Sequence, residues 1–468
     1  MPPPASAAQA LREALADAHA GRPGPAALKA RLVLAAEPAN AEAHYVLGLS
    51  ALLAGNAADA IGPLEHATQL RDAEPRYAFG LGMALDQLGR AEESIAAYQR
   101  SITMRPSHFE TAANLGGVLQ RAGRLDEAIA AYEAALRARP QQPQVLNALG
   151  LCLLHTRQAQ AAQLHFAAAI AADPGFAAAH NHQGVALNRL GRNEEAIAAI
   201  REAIRLRPDY PEAWFNLGEQ YYEAGLHREA LVALDRALAL TPHNQAARYL
   251  RSAIAGEALD RPPDDYIRAS FDRLAADFDV KLVDTLRYRT PEKMAAFLAP
   301  WCEALAAPPR TLDLGCGTGL SGIRLRPLAS ELAGVDLSPA MLDKARARTL
   351  YDALHEASLV DFLANTPSAR WDLVVAMDVF IYVGKLDDVF REAARGLAPG
   401  GLFAFSVERL DADAGYRLEA TGRYAHAGAY LDQLAEAAGL VPWRQSETDI
   451  REERGKPVPG LLAAYRKP

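Results

Sequence analysis

Between Thr311 and Gly319 the chain reads Thr-Leu-Asp-Leu-Gly-Cys-Gly-Thr-Gly, and an aspartate, Asp336, follows in Ala-Gly-Val-Asp-Leu-Ser. The apolar run ending at Leu314 has the character of a buried strand. The glycines after it let the backbone turn sharply and come close to a ligand. A second strand ends at Asp336, about twenty residues past the first glycine, where a carboxylate can accept both hydroxyls of a ribose. A dinucleotide fingerprint needs G-x-G-x-x-G, but Leu320 stands where its last glycine belongs, which excludes a nicotinamide-dependent oxidoreductase. Cys316, inside the glycine run, reads as a small residue lining the turn and not as a nucleophile.

The elements needed to hold this loop begin at Asp260-Arg-Pro-Pro-Asp-Asp265, where paired prolines interrupt a helical period and mark a linker. Beyond it, helical and strand-like stretches alternate, as in an α/β fold. Strands are expected near 310–314, 331–335, 354–357, 372–377, 401–407, 441–450 and 458–466. The last two flank Arg454-Gly455-Lys456-Pro457 and suggest an antiparallel hairpin at a sheet edge. The fourth strand delivers Asp378 to its carboxyl end, beside the point where strand order reverses and ligands bind in such sheets.

The D-x-G-x-G-x-G run with the spaced Asp336, the strand count, the reversed last strand and the Leu397-Ala-Pro-Gly-Gly-Leu402 turn together resemble class I S-adenosylmethionine-dependent methyltransferases. That resemblance implies a seven-stranded Rossmann-like domain with S-adenosyl-L-methionine as its cofactor. Gly315, Cys316, Gly317 and Gly319 would hold the methionine end, Asp313 would brace the loop, and Asp336 with Leu337 would take the ribose. The adenine contact falls to Ser358 and Leu359, at a place where relatives commonly carry an acid. Ser358 also makes a capping box with Asp361. Asp378 would touch the donor's amino group or act as a base. The flanking segments Ser270–Asp279, Leu286–Pro291, Gly422–His426 and Arg451–Val458 resemble those of bacterial repeat–methyltransferase fusions and of the methyltransferase-like family of the Williams–Beuren region. By that analogy the upstream helix and Tyr288 cover the donor, and Tyr424 and His426 face the acceptor. Asp378, Tyr424 and His426 are therefore the candidate catalytic residues. No Asn/Asp-Pro-Pro-Tyr signature for amide or exocyclic-amine methylation is present, and no three-cysteine cluster.

The first half of the chain has a different grammar. Glycine recurs every 34 residues at Gly48, Gly82, Gly116, Gly150, Gly184 and Gly218. A second glycine follows seven residues later in each unit but one, where Arg157 stands. Small residues such as Ala128 and prolines such as Pro140 complete a pattern that resembles the tetratricopeptide repeat. Units begin near 41, 75, 109, 143, 177 and 211, with a weaker one before them and a half-unit near 244–256 as a cap. The expected layout is a solenoid over 7–256, a linker over 257–265 and a methyltransferase domain over 266–468. The linker shows no apolar pattern, so residues 264–468 should fold alone. Stacked helix pairs form an extended concave surface suited to a protein or peptide partner. Asn114, Asn147, Asn181 and Asn216 lie on first helices, where they either hydrogen-bond an extended peptide or satisfy neighbouring backbone.

With 468 residues there is room for two or three cores. A net charge of −8 argues against nucleic acid as a partner. The expectation is a cytoplasmic protein with no secretory leader, no membrane span, three scattered reduced cysteines and no metal site. Two alternatives keep the fold. In one, the domain binds ligand or partner without catalysis; in the other, the repeats only anchor an enzyme that methylates a small molecule.

Overall fold

The computed structural model describes residues 7–257, 260–275, 278–280, 282–283, 286–412, 415–419, 421–453 and 456–468. By contacts it divides into two units, Met1–Gly225 and Leu226–Pro468. That division falls short of the sequence-expected linker at 257–265, because the helices His227–Leu240 and Gln245–Ala255 belong to the second unit. Among the described residues no helix is long and apolar enough to cross a membrane.

The first unit is built of helix pairs. First helices run Ala41–Leu53, Pro75–Gln87, Phe109–Arg121, Pro143–His155, Ala177–Arg189 and Pro211–Glu223, each beginning at the residue the 34-residue period marks. The periodic glycines from Gly48 to Gly184 are small because the second helix of the same pair lies against them. A Cβ on Gly82 would come within 2.7 Å of the Tyr98 ring, and one on Gly116 within 2.6 Å of Tyr132. At the turn between helices the second glycine takes a left-handed backbone, as at Gly123 with φ +74°. Arg157 holds the same conformation with φ +64°, a region that L side chains disfavour. The weaker first unit is present as Ala7–His19 and Pro23–Ala36.

In the second unit, the central strands are β1 (Arg310–Leu314), β2 (Glu331–Asp336), β3 (Ala353–Glu356), β4 (Trp371–Ala376) and β5 (Leu397–Arg409). They pair in parallel in the order β3-β2-β1-β4-β5. Beyond them come the two short strands β6 (Tyr416–Leu418) and β7 (Tyr424–His426), then β8 (Val441–Glu453) and β9 (Lys456–Arg466). β9 runs antiparallel to both β5 and β8, giving the reversed hairpin at the edge. Its turn at Arg454-Gly455 lies outside the described residues. The seven expected strands are all present. β6 and β7 are additional, and β7 pairs in parallel with the far end of β5 through Glu408↔Ala425 and Arg409↔His426. Three-residue strands carry too little alternation to be read from sequence.

The sheet is buried on both faces. Leu312, Val335, Val374, Phe403 and Phe405 belong to one core with Phe380, Phe390 and Leu431, and Leu332, Leu373, Val375 and Leu402 belong to another with Met294, Leu298 and Trp301. Continuous apolar runs, not alternation, follow from this two-sided burial. The segment around Asp260 is tied to the same body. The Asp260 carbonyl accepts from the N–H groups of Gly384 and Lys385, both at 2.9 Å, and the Tyr416 hydroxyl donates to its carboxylate. Tyr249, on the Gln245–Ala255 helix, packs with Leu418 and Tyr424 and donates to the Gly422 carbonyl at 2.8 Å. An apolar tie thus exists where the sequence showed none, because its residues are dispersed over 175 positions of chain.

Candidate active site

The carboxyl ends of β3, β2, β1 and β4 open onto a cavity of 610 Å³. This is the size range of small-molecule sites. Gly315, Gly317 and Gly319 follow β1, all with positive φ. A Cβ on Gly315 would stand 2.5 Å from Val379, so only glycine lets the loop lie against the turn after β4. The Cys316 N–H donates to the Val335 carbonyl at 3.0 Å, which binds the loop to β2. The Cys316 thiol is buried, and burial pushes it well above its ordinary range, which makes it an inert lining group.

Asp336 ends β2 and faces both the loop and the cavity. One oxygen accepts from the Gly317 N–H at 2.9 Å and the other from the Ser338 N–H at 2.9 Å. Burial raises its carboxyl, and these two N–H groups pull it back. Each oxygen keeps a second lone pair, so the carboxylate can still accept two hydroxyls from the cavity side. Asp313 is buried beneath the loop, where Ser321 Oγ and the Tyr351 hydroxyl donate to its Oδ2 at 2.5 and 2.7 Å. Burial pushes its carboxyl up to about 6, against the pull of those two hydroxyls. It ties β1 to the Leu320–Leu325 helix and to Tyr351, the bracing part expected of it.

Ser358 caps the Leu359–Asn365 helix, its hydroxyl accepting from the Asp361 N–H at 3.2 Å and donating to the Asp361 carboxylate at 2.7 Å. Leu337, Ser358 and Leu359 all line the cavity, as does Tyr288. The Tyr288 hydroxyl is pushed well up by burial and by the charges of Asp378 and Asp313. Above the loop lie Ile267, Phe271 and Leu274 of the Asp264–Leu274 helix, together with Phe278. Phe271 meets the rings of Phe278 and Tyr382 edge-on. Asp272 accepts from Ser338 Oγ, and Asp279 receives Thr318 Oγ1 and the Arg348 guanidinium. The cover is pinned by one carboxylate on each of its two helical pieces.

Asp378 sits in the left-handed region with φ +61°, a strained backbone for a non-glycine residue. Its N–H donates to Ser406 Oγ at 2.8 Å, and its two oxygens receive Arg451 Nη1 at 3.0 and 3.3 Å. The other arm of Arg451 reaches Glu408. Burial raises the Asp378 carboxyl, and the Arg451 charge opposes it. The triplet holds the Asp378 carboxylate in place, which suits the first of its two expected roles, a contact to the donor's amino group, better than the second, a free base.

Tyr424 and His426 are not at the cavity. His426 is 0% exposed, and its Nε2 lies 3.0 Å from the carbonyls of both Val383 and Gly384. Two acceptors fix the proton on Nε2. Burial pulls the imidazole down to about 4. Tyr424 packs on Gly384, where a Cβ would stand 2.5 Å from its ring, and burial pushes its hydroxyl well up. Both residues do share one side of β7, as the family analogy implied, but that side faces the core. Arg423, just ahead of the strand, lines the cavity instead.

Of the substrate-binding candidates, Asn147 and Asn181 are 8% and 2% exposed and are bound to the neighbouring unit. Asn147 Oδ1 meets His182 Nδ1 at 2.8 Å, and Asn216 donates to Asn181 Oδ1 at 3.0 Å. Burial lowers His182 to about 4, so it is neutral in this ladder. Asn114 and Asn216 are half-buried, Asn114 reaching the Tyr98 hydroxyl at 3.5 Å. Residues 35 apart on successive first helices face each other, and their polar groups satisfy one another. Arg261, Lys385, Arg423 and Arg451 also line the cavity and were given no role from sequence. Arg451 lay within a segment picked out by the family resemblance; its pairing across 73 positions gave no local signal.

Fold and site define a tetratricopeptide-repeat protein carrying a class I methyltransferase domain. Residues 312–403 match the family model described as a methyltransferase domain. Residues 75–108, 114–175, 184–225 and 211–244 match models of the tetratricopeptide repeat. The chain belongs to the family of methyltransferase-like protein 27: it is 36% identical to the Homo sapiens protein over 187 residues, which span 37% of this chain and 69% of that one. It is 34% identical over 145 residues to malonyl-[acyl-carrier protein] O-methyltransferase of Geobacter sulfurreducens, covering 30% of this chain and about half, 52%, of the relative. Among solved structures it is similar to YrrB, described as a TPR protein with an unusual peptide-binding site, at 21% identity and a TM-score of 0.37, covering 40% of this chain and 97% of that one.

Proposed function

We propose that this protein transfers a methyl group from S-adenosylmethionine to a protein or peptide acceptor that its repeats recruit. The repeats take residues 7–256, a linker 257–265 and the methyltransferase domain 266–468. The observation that carries the reading is the junction of the Gly315–Gly319 loop with Asp336 and Asp378 around one cavity. The residues there fit the donor. The loop supplies backbone N–H groups, Asp336 retains acceptor capacity for ribose hydroxyls, and Leu337, Met341, Leu359 and Val360 supply apolar walls for a purine. Asp378 sets a buried negative charge against the Gly315 turn, which suits a cationic head.

S-adenosylmethionine, when bound, supplies a sulfonium-activated methyl group. The chain's own contribution is alignment and exclusion of water. Phe271, Phe278 and Tyr382 shield the loop, and the Asp272 and Asp279 contacts hold that shield down. Arg451 fixes the Asp378 carboxylate and its charge opposes the upward push of burial, so the group is positioned before the ligand arrives. Titration calorimetry of the full chain with S-adenosylhomocysteine tests the donor assignment, with one site per chain expected. Absence of binding removes the reading.

A further inference from the structure

The cavity is longer than the donor residues alone account for. Along the carboxyl edge of the sheet, the order β3-β2-β1-β4-β5 sets Ser358, Asp336, the glycine loop and Asp378 one after another. Beyond Asp378 the wall carries cations interleaved with the carboxylates Asp260, Asp264 and Asp388. Arg261, Lys385 and Arg423 line that end. They are neighbours in space. The Asp260 carbonyl takes the N–H groups of Gly384 and Lys385, which sets Arg261 beside Lys385. Gly384 packs on Tyr424, the residue after Arg423. The Arg423 charge also acts on the Asp378 carboxyl.

The carboxylates near these cations are mostly engaged. Asp260 takes the Tyr416 hydroxyl, Asp378 is held by Arg451, and Asp388 pairs with Arg391 at 2.7 Å. Asp264 opens the Asp264–Leu274 helix. No histidine is among the described residues lining the cavity, and His426 is directed at two carbonyls behind the wall. Among the described residues Arg261 and Lys385 are thus the cations that face the cavity for an anion, while the Asp378 carboxylate is held by the Arg451 guanidinium.

We propose that the acceptor is a carboxylate, held at the β4–β5 end of the cavity by Arg261 and Lys385, and that the product is a methyl ester. This rests on the donor assignment above. A carboxylate oxygen uses its own lone pair to form the new C–O bond as the C–S bond breaks, with that pair remaining on sulfur. The negative charge of the acceptor and the positive charge of the sulfonium cancel. No proton has to leave, so no base is needed.

The test uses the full chain saturated with S-adenosylhomocysteine and compares glutarate with its neutral isostere glutaramide by calorimetry. Glutarate should bind, glutaramide should not, and Lys385→Glu or Arg261→Glu should each weaken glutarate by about tenfold or more, the worth of one charge-assisted contact. Equal binding of the two probes, or no effect of either variant, overturns the proposal. A second readout uses methyl-labelled donor with two acceptor pools, a peptide digest and the small-molecule fraction of a cell extract. Label that mild alkali releases as methanol supports an ester, and the pool that carries it tells a protein carboxylate from a metabolite. Alkali-stable label, or no label in either pool, overturns it. Loss of transfer in Asp264→Asn with S-adenosylhomocysteine affinity retained would place a base there and overturn it too. Failure of S-adenosylhomocysteine itself to bind would instead strike the donor assignment.

Discussion

At the scale of single residues, two aspartates and one histidine show how position alters chemistry. Asp336 already serves the Gly317 and Ser338 N–H groups, so Asp336→Ala removes both the ribose acceptor and a tie on the loop. Loss of a charge-assisted pair worth about 2–4 kcal/mol should raise the dissociation constant for S-adenosylhomocysteine roughly 30- to 1000-fold. Unchanged affinity by calorimetry would remove the ribose assignment. His426 acts on stability instead. Its imidazole is held at about 4 in the fold against 6.5 when free, so its contribution is complete above pH 6.5 and is lost as pH falls toward 4. Asp313, raised to about 6 from 3.8, runs the other way, contributing below 3.8 and losing that contribution as pH rises through 6. His426→Gln leaves Asp313 untouched and removes only the first effect, about 3 kcal/mol at pH 4. The melting temperature of the second unit should therefore fall less steeply in the variant between pH 6.5 and 4. Parallel curves would show that His426 titrates like an exposed histidine.

At the scale of elements, the solenoid repeats one solution: a small residue under an aromatic ring or an aliphatic side chain, then a left-handed turn. The pair Pro143–His155 and Ala159–Ala172 departs from it at one point, with Arg157 in the place of glycine. Arg157→Gly relieves the left-handed strain and should stabilise the repeats by about 1 kcal/mol, visible as a higher melting temperature of the first transition. No gain would mean that the side chain's own contacts outweigh the strain. The asparagines belong to this scale as well. Asn147 and Asn181 tie successive first helices, so their replacement weakens the solenoid before it touches any partner.

At the scale of the whole chain, the stretch before the methyltransferase domain does more than connect. Asp260, Arg261 and Pro262 line the cavity, and the Asp260 carbonyl holds the Gly384–Lys385 turn. A fragment 226–468 should bind S-adenosylhomocysteine as the full chain does, and a fragment 264–468 more weakly, which reverses the expectation that 264–468 is self-sufficient. Equal affinities by calorimetry would make the segment dispensable. The same fragment tests recruitment. If the repeats deliver a protein acceptor, kcat/KM for it should drop on the order of 10- to 100-fold in 226–468 relative to the full chain, the loss of an effective concentration. Equal efficiency would leave the repeats as an anchor only.

The sequence alone determined what is local. The 34-residue period placed six first helices to the residue, because every unit solves the same packing problem with the same small residues. The glycine loop, Asp313, Asp336 and the Ser358 cap were legible because each depends on neighbours within a few positions or on a fixed strand–turn–helix spacing. The tertiary structure decided what depends on distant partners. The partner that holds the Asp378 carboxylate, Arg451, lies 73 positions away. The pairing of β7 with the end of β5 buried Tyr424 and His426 away from the cavity, while Arg423, just ahead of the strand, took the wall. The cations of the far wall come from three separate segments, and only the folded chain brings Arg261, Lys385 and Arg423 around one cavity.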